Sequence, residues 1–328
     1  MASRFSVAMC TFNGSQFIDE QLNSIAAQTR VPDELIVCDD CSSDNTREVV
    51  MGFAQRVPFP VLQFSNDANL GSTANFEKAI GLCSGEIIGL ADQDDFWYPR
   101  KLELLERRFF AWDATVAVFS DAEVVDGNGH RETARLWTSV GFGPNEQKQF
   151  REGRGWRVLI KHPVVTGATM AFRRELCGSI FPVPREFTHD RWISLLASVS
   201  GAVVPVPEPL IRYRKHDGQQ IGTGPQHLEE RLELALQRAE AFYQSEIDLL
   251  LQLCDRMNEM KSTAAHAEDA IGEARKKIEH LRNRQRLRAH SASRIPEIFR
   301  EVWSGGYWKY SAGWESVAKD LFLSGTRR

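Results

Sequence analysis

Read from the N-terminus, apolar runs alternate with stretches whose apolar residues recur at every third or fourth position. RFSVAMCTFN reads as a strand ending in polar residues, and QFIDEQLNSIAAQT sets Phe17, Leu22, Ile25 and Ala26 at helical spacing. DELIVCDD reads as a second, buried strand, and SSDNTREVVMGFAQ then starts a helix with Ser43 or Asp44 at its N-cap. PVLQFSN, LGSTANFEKAIGLC and GEIIGLADQDD continue as strand, helix and strand, the last ending in acids. Strands alternating with helices across short loops predict an α/β domain with a mostly parallel central sheet. Ligands of such sheets sit beyond the carboxyl ends of the strands. Thr11, Asn13, Asp39, Asp40, Asn66, Asn69, Asp92, Asp94 and Asp95 all follow strands, so they are expected to converge on one crevice.

The texture changes near Gln226. Leu232, Ala235, Ala239, Phe242, Leu249, Leu253, Met257 and Met260 recur at three- and four-residue spacing, which predicts a long amphipathic helix. A second helix is expected from about Thr263 to Ala289. The expected division is therefore an α/β domain, 1–225, and a helical region, 226–328, whose helices form a hairpin on that domain or the seam of a homodimer. Residues 127 to 157 show no clean period. Long glycine-rich segments are often binding loops, and this one is expected to form a partly mobile wall on the acceptor side.

The chain has 328 residues, 42% hydrophobic and 26% charged, which is the composition of a globular protein. The formal net charge of −4 offers no general attraction to nucleic acid, and none is expected as a partner. The N-terminal apolar run is too short for a signal peptide, and no stretch approaches the roughly 18 apolar residues of a membrane span. Six scattered cysteines lack the density of a disulfide scaffold. Together these features fit a cytoplasmic, reduced protein. One region departs from the average: residues 275–294 hold eight Lys/Arg and one acid, followed by Trp303, Tyr307, Trp308, Tyr310 and Trp314. A solvated helix face accounts for the basic run, and so does contact with anionic lipid head groups. The aromatic group is typical of membrane–water interfaces, so peripheral contact through 275–314 at the inner face of the cell membrane is a further expectation.

Two pairs compete for the chemistry of LIVCDDCSSDNT. Cys38 and Cys41 have C-x-x-C spacing, but no second C-x-x-C or C-x-x-H lies near to complete a zinc site. A redox C-x-x-C normally opens a helix, whereas this one straddles a strand end and encloses two acids. Cys38 is expected as a small buried hydrophobe and Cys41 as a loop residue. The carboxylates Asp39 and Asp40 have company in Asp92, Asp94 and Asp95, and clustered like charges are costly unless a hard cation such as Mg²⁺ or Mn²⁺ neutralises them. An acidic strand-to-helix turn with N-capping carboxylates is the alternative. Further on, Asp190 precedes an apolar helix, as a base or an N-cap, and Arg212 and Arg214 alternate with Tyr213, so either arginine could contact phosphate.

Six ordered segments, VAMCTFNGSQFIDEQLNSIAAQT, ELIVCDDCSSDNT, NLGSTANFEKAIGLCSGEIIGLADQDDFWYPRKLE, VVTGATMAFRREL, FTHDRWISLLAS and PLIRYRKHDGQQIG, resemble the inverting glycosyltransferase family 2. The D-Q-D-D-x-W form and the later H-D-x-W narrow the resemblance to bacterial rhamnosyltransferases of O-antigen and related surface-polysaccharide assembly. The resemblance implies a GT-A fold, Rossmann-like, a nucleotide-sugar donor and Mg²⁺ or Mn²⁺. Thr11, Asn13 and Asp39 or Asp40 would hold base and ribose, a carboxylate accepting the N3–H that uracil and thymine share, so dTDP and UDP are not separated. Asn69, Gly71, Asn75, Gly167 and Arg214 would complete the donor site, with Asp92 facing the sugar or ribose. Asp94 would hold the metal, and His216 would complete the metal site or touch the diphosphate. Asp190 would be the general base that takes the acceptor proton, with Glu186 the nearest alternative carboxylate. Trp192 and Trp97 are candidate aromatic faces for the acceptor.

The function expected is inverting transfer of rhamnose or another hexose to a saccharide or lipid-linked acceptor. The alternative is a catalytically silent sugar-nucleotide-binding or scaffold protein assembled through its helices. Nucleotidyl transfer is disfavoured because CTFNGSQF lacks a glycine-rich phosphate loop with a nearby Lys or Arg.

Overall fold

The first apolar run forms β1 (Phe5–Thr11), buried on both faces. It is followed by α1 (Ile18–Ala26), β2 (Glu34–Asp39), α2 (Thr46–Ala54), β3 (Val61–Ser65), α3 (Ser72–Leu82) and β4 (Ile87–Ala91). The four strands are parallel, and the computed structural model gives the register: Thr11 lies opposite Asp39 and Met9 opposite Ala91. The residues that follow each strand, Phe12, Asp40 and Asp92, therefore leave the sheet at one edge. The structure describes residues 3–216, 228–262, 264–289 and 294–322.

Beyond β4 the chain forms β5 (Phe96–Trp97), α4 (Lys101–Ala111), β6 (Thr115–Val125), β7 (Arg131–Arg135), α5 (Leu136–Ser139), α6 (Pro144–Arg151) and α7 (Gly155–Lys161). A short 3-10 turn, Gly167–Thr169, leads into β8 (Met170–Arg173), then α8 (Cys177–Ile180), α9 (His189–Ser200) and β9 (Ala202–Arg214). The strand order is β3-β2-β1-β4-β8-β6-β9-β5, with β7 paired to β6. Parallel pairing resumes between β6 and β9, while β5, β7 and β8 enter antiparallel. The two-residue β5 matters most for function. It follows the acid motif directly, and Phe96 pairs with Arg212, so residues 213–216 are drawn across from residues 92–95.

Residues 127 to 157 are not the loop wall expected from their lack of period. They form β7 and three short helices, and Trp137, Phe142 and Phe150 pack around Phe119 with ring centroids 4.9–5.6 Å apart. Helices of four and eight residues are too short to display a period.

The chain divides into two compact units, Met1–Trp156 with Pro163–Gly222 and Arg157–His162 with Thr223–Arg328. The junction expected at 225 to 226, and the side chains of Leu232, Ala235 and Ala239, lie outside the described residues. In the second unit α10 (Leu228–Glu259) packs on α11 (Ala267–Ala289), and α12 (Arg294–Trp303), α13 (Gly306–Tyr310) and α14 (Trp314–Phe322) pack on α11. Leu249, Leu253, Met257 and Met260 are buried as their spacing predicts, but Phe242 is exposed.

Two cations of the basic run are spent inside this unit. Lys277 donates to Glu246 at 2.6 Å and to the carbonyls of Ile160 and Lys161, and Arg284 donates to both oxygens of Asp320 at 2.6 and 3.0 Å. Asp320 is fully buried, and Tyr307 Oη donates to it as well. Removing the arginine strands a buried carboxylate. Arg284→Met is expected to cost about 3–5 kcal/mol of stability, whereas Arg286→Ala, at an exposed position, changes it by about 0.5 kcal/mol or less. Urea unfolding checks the pair, and equal midpoints for the two variants would contradict a structural role for the ion pair.

Candidate active site

At the carboxyl ends of β1, β2 and β4 lies a cavity of about 480 Å³. Eight of the expected site residues border it: Thr11, Asp40, Asn75, Asp92, Asp94, Gly167, Asp190 and His216. Its remaining walls include Phe12, Phe76, Gln93, Val164, Val165, His189 and Tyr213. From the segment expected as the acceptor wall, Val140 alone borders the cavity.

Asn13, Asp39, Asn69 and Gly71 stand behind this surface and hold its loops. Asp39 is fully buried, and its carboxylate accepts from Thr11 Oγ1 at 2.8 Å, Ser42 N at 2.9 Å and Ser42 Oγ at 2.6 Å. Asp40 borders the cavity, and accepts from Asn66 Nδ2 at 2.8 Å, Leu70 N at 2.7 Å and Gly71 N at 2.9 Å. Each carboxylate accepts three hydrogen bonds, but Asp40 borders the cavity while Asp39 is fully buried within its own turn. Gly71 has φ +82°, a conformation that favours glycine, as it enters α3. Asn69 Oδ1 accepts from Gly71 N, and Asn13 Oδ1 accepts from Ser43 N. Asn75 donates to the carbonyl of Cys38 and accepts from Asn66. Cys38 is buried and Cys41 exposed, both free. Burial pushes the Cys38 thiol up to about 11, as for a small buried hydrophobe.

The acid motif gathers nitrogen groups around itself. His216 Nε2 stands 2.8 Å from Asp94 Oδ2. Burial, then the charges of Asp94 and Asp190, push the Asp92 carboxyl up to about 7. Asp95 is raised well above the usual carboxylate range by burial and by Asp94 and Asp92. Its Oδ1 accepts from Arg214 N, while Oδ2 has no partner among the described residues. Lys101 is buried beneath, its Nζ 3.5 Å from the centroid of the Trp97 ring and donating to the carbonyl of Ala168 at 2.6 Å. Burial lowers the Lys101 ammonium, and Asp95 and Asp92 oppose that.

Two donors at right angles on a divalent ion with bonds of about 2.1 Å lie about 3 Å apart. Asp94 Oδ2 and His216 Nε2 fit that spacing. Among the described residues no group of three His, Cys, Asp or Glu side chains assembles a full ligand set, so an ion there would take its other ligands from substrate oxygens and water. Imidazole nitrogen is a poor match for Mg²⁺, and the mixed pair suits Mn²⁺ better.

Asp190 sits in the first turn of α9 at the rim of the cavity. Its Oδ2 accepts from Gly167 N at 3.1 Å and its Oδ1 from Arg191 N at 2.7 Å, which fixes the carboxylate without a side-chain partner in either bond. Gly167 is needed for close packing: a Cβ there would stand 2.8 Å from His189 Nε2 and 3.4 Å from Asp190 Cβ.

Three expected roles are overturned. Trp97 and Trp192 are each about 1% exposed, so neither offers a face to an acceptor. Trp97 lies under Lys101, and Trp192 donates to the carbonyl of Ile180 and packs on Phe187. Arg214 is buried and committed to protein: Nε donates to the carbonyl of Asp94 at 2.9 Å, and the other nitrogens reach Glu20 and the carbonyl of Gly127. It braces the acid motif rather than a phosphate. Arg212 is likewise occupied, lying over Phe96 and Tyr98.

Other residues escaped notice. Gln93, between the acids, accepts from Phe12 N at 2.8 Å and donates to Phe12 O at 3.0 Å, clamping the loop after β1. Its place inside D-Q-D was the available signal. His189 stacks on Phe76 with centroids 3.9 Å apart. Lys101 carried no signal, because a lysine in an amphipathic helix reads as solvated.

The profile of glycosyl transferase family 2 matches residues 6–181, more than half of the chain. The Escherichia coli UDP-Glc:α-D-GlcNAc-diphosphoundecaprenol β-1,3-glucosyltransferase WfgD is 34% identical over 99 residues, 30% of this chain and 38% of that protein. The chain spans less than two thirds of several curated relatives, 65% of one and 58% of another. Among solved structures, Staphylococcus aureus TarS 1–349 superposes with TM-score 0.58 at 15% identity, over 99% of this chain and 93% of that one. A Pyrobaculum calidifontis mannosyltransferase in complex with GDP-Man and Mn²⁺ superposes with TM-score 0.53 at 16% identity, over 99% and 89%. The fold is that of the GT-A-like enzymes, and with the acid motif, the cavity and the profile in agreement, the chain belongs to glycosyl transferase family 2.

Proposed function

We propose that the protein transfers, with inversion, a hexose or deoxyhexose such as rhamnose from a dTDP- or UDP-sugar to a saccharide or lipid-linked acceptor in the cytoplasm, with Mn²⁺ or Mg²⁺ at Asp94 and His216. The observation that carries this reading is the carboxylate of Asp190, pinned by two backbone N–H groups at the rim of the cavity that also holds Asp92 and Asp94. Support comes from WfgD, whose name gives it a UDP-hexose donor and a lipid-diphosphate acceptor, and from the mannosyltransferase that binds GDP-Man and Mn²⁺.

Asp40, which borders the cavity, accepts the N3–H of the base, while Asp39 only shapes the loop. Phe12, held by Gln93, forms the neighbouring wall. Asp190 takes the proton of the acceptor hydroxyl as that oxygen bonds to the anomeric carbon. The bond from that carbon to the diphosphate oxygen breaks, and the nucleoside diphosphate leaves from the opposite face. A divalent ion, when bound, neutralises the charge growing on the departing diphosphate. Val164 and Val165 add an apolar wall beside Gly167.

A screen of nucleotide sugars for transfer or slow hydrolysis identifies the donor and supplies the assay. In it, Asp190→Asn is expected to lower turnover by roughly 10² or more, the scale of a positioned base, with donor affinity within a few fold. Equal loss of affinity would reveal an N-cap or folding role, and near wild-type turnover would move the base to another carboxylate, Glu186 first.

Asp94→Ala is expected to abolish both transfer and the metal dependence of donor binding, read by calorimetry with and without Mn²⁺. Full activity in EDTA would contradict an ion at this position.

Gln93→Ala removes both hydrogen bonds to Phe12. At about 1 kcal/mol each these are worth roughly tenfold or more in donor affinity, while Gln93→Glu, which keeps one acceptor, retains part of it. Unchanged affinity in Gln93→Ala would separate the loop from donor binding.

A further inference from the structure

The helical unit carries an apolar surface for which sugar transfer has no use. On α12, Ile295, Phe299 and Trp303 follow one another at four-residue spacing and are 62%, 68% and 94% exposed, while Ile298, about a quarter-turn round, is buried. On α14, Trp314 and Leu321, seven residues apart, are also exposed, and Trp308 meets Trp314 edge-on with ring centroids 5.2 Å apart. Single exposed apolar residues are ordinary, but rows of large ones mark a surface that something covers.

The exposed charge of this part of the chain says what. Between positions 275 and 321 the described residues expose seven Lys/Arg and two Glu, in a chain of net charge −4. Arg300 follows Phe299 directly, Lys309 follows Trp308, and all four of these side chains are exposed. A second copy of the chain meeting this face through a two-fold axis would bring basic surface against basic surface, which disfavours self-association. No helix among the described residues is long and apolar enough to cross a membrane. Apolar and aromatic rows flanked by Lys and Arg on short helices suit a position in the plane of an anionic lipid surface.

We propose that α12 and its neighbours α13 and α14 dock on an anionic phospholipid surface, with Phe299 and Trp303 inserted at the head-group boundary and Arg300 and Lys309 on the phosphates. The lipid contact stands apart from the sugar chemistry, since vesicle binding requires neither donor nor ion.

The test is co-sedimentation of the full chain with vesicles of phosphatidylcholine, with and without phosphatidylglycerol. Binding is expected only with phosphatidylglycerol, weakened at raised ionic strength and accompanied by a blue shift of tryptophan emission. Phe299→Ser with Trp303→Ser is expected to lower partitioning at least about tenfold, given the apolar area lost, and Arg300→Gln with Lys309→Gln to lower it at low salt. All four positions are exposed, and unchanged melting curves keep misfolding out of the result. The proposal is overturned by failure of the wild type to bind phosphatidylglycerol vesicles, by equal binding of the Phe299/Trp303 variant, or by light scattering that finds a dimer which this variant converts to monomer.

Discussion

Three carboxylates within four residues, Asp92, Asp94 and Asp95, stand at the end of a buried strand, where each raises the cost of ionising the others. The domain answers with two basic side chains and an imidazole from three directions. Lys101 comes up from α4, sandwiched on the Trp97 ring, Arg214 spans from Glu20 to the carbonyl of Asp94, and His216 meets the Asp94 carboxylate. The pairing of β5 with β9 exists at the one place that brings two of these three partners across. Burial and mutual repulsion still push the Asp92 carboxyl up to about 7 and raise Asp95, so these partners offset the crowding only in part.

Lys101 links this side of the cavity to the other. The ammonium that offsets the acids also donates to the carbonyl of Ala168, in the turn whose neighbouring Gly167 N–H holds Asp190. The proposed inverting transfer requires the residues assigned to the metal and to the base to keep a fixed separation, because attack and departure would occur on opposite faces of one carbon. One buried cation, packed without freedom on an indole, is a rigid way to set that separation. Gln93 does the same for the third side, tying the acid motif to the loop after β1.

The alternation of apolar runs and helical periods made the strands β1 to β4 and their helices legible, because buried parallel strands are apolar throughout and their ends must be polar. The same logic brought Thr11, Asp40, Asp92 and Asp94 to one cavity. Residue type was less informative where burial decides the role. A tryptophan near an acid motif reads equally as a sugar platform or as core, and Trp97 and Trp192 are core. An arginine after a strand reads as a phosphate ligand, and Arg214 is instead consumed by Glu20 and two backbone carbonyls. Asp39 and Asp40 are indistinguishable as letters. What separates them is that one lies within its own turn and the other one residue beyond the strand, facing the cavity. The antiparallel entry of β8 and the packing of 157–162 with the helical unit depend on contacts far apart in sequence, which no local period encodes.

In the proposed function, Asp94 and His216 would hold a divalent ion at the diphosphate of a nucleotide in this cavity. A crystal structure with a nucleoside diphosphate and Mn²⁺, using anomalous scattering at the manganese edge, tests it most directly. One anomalous peak is expected beside Asp94 and His216, with the base against Asp40. A peak on other residues, or a nucleotide bound outside the cavity, would contradict it.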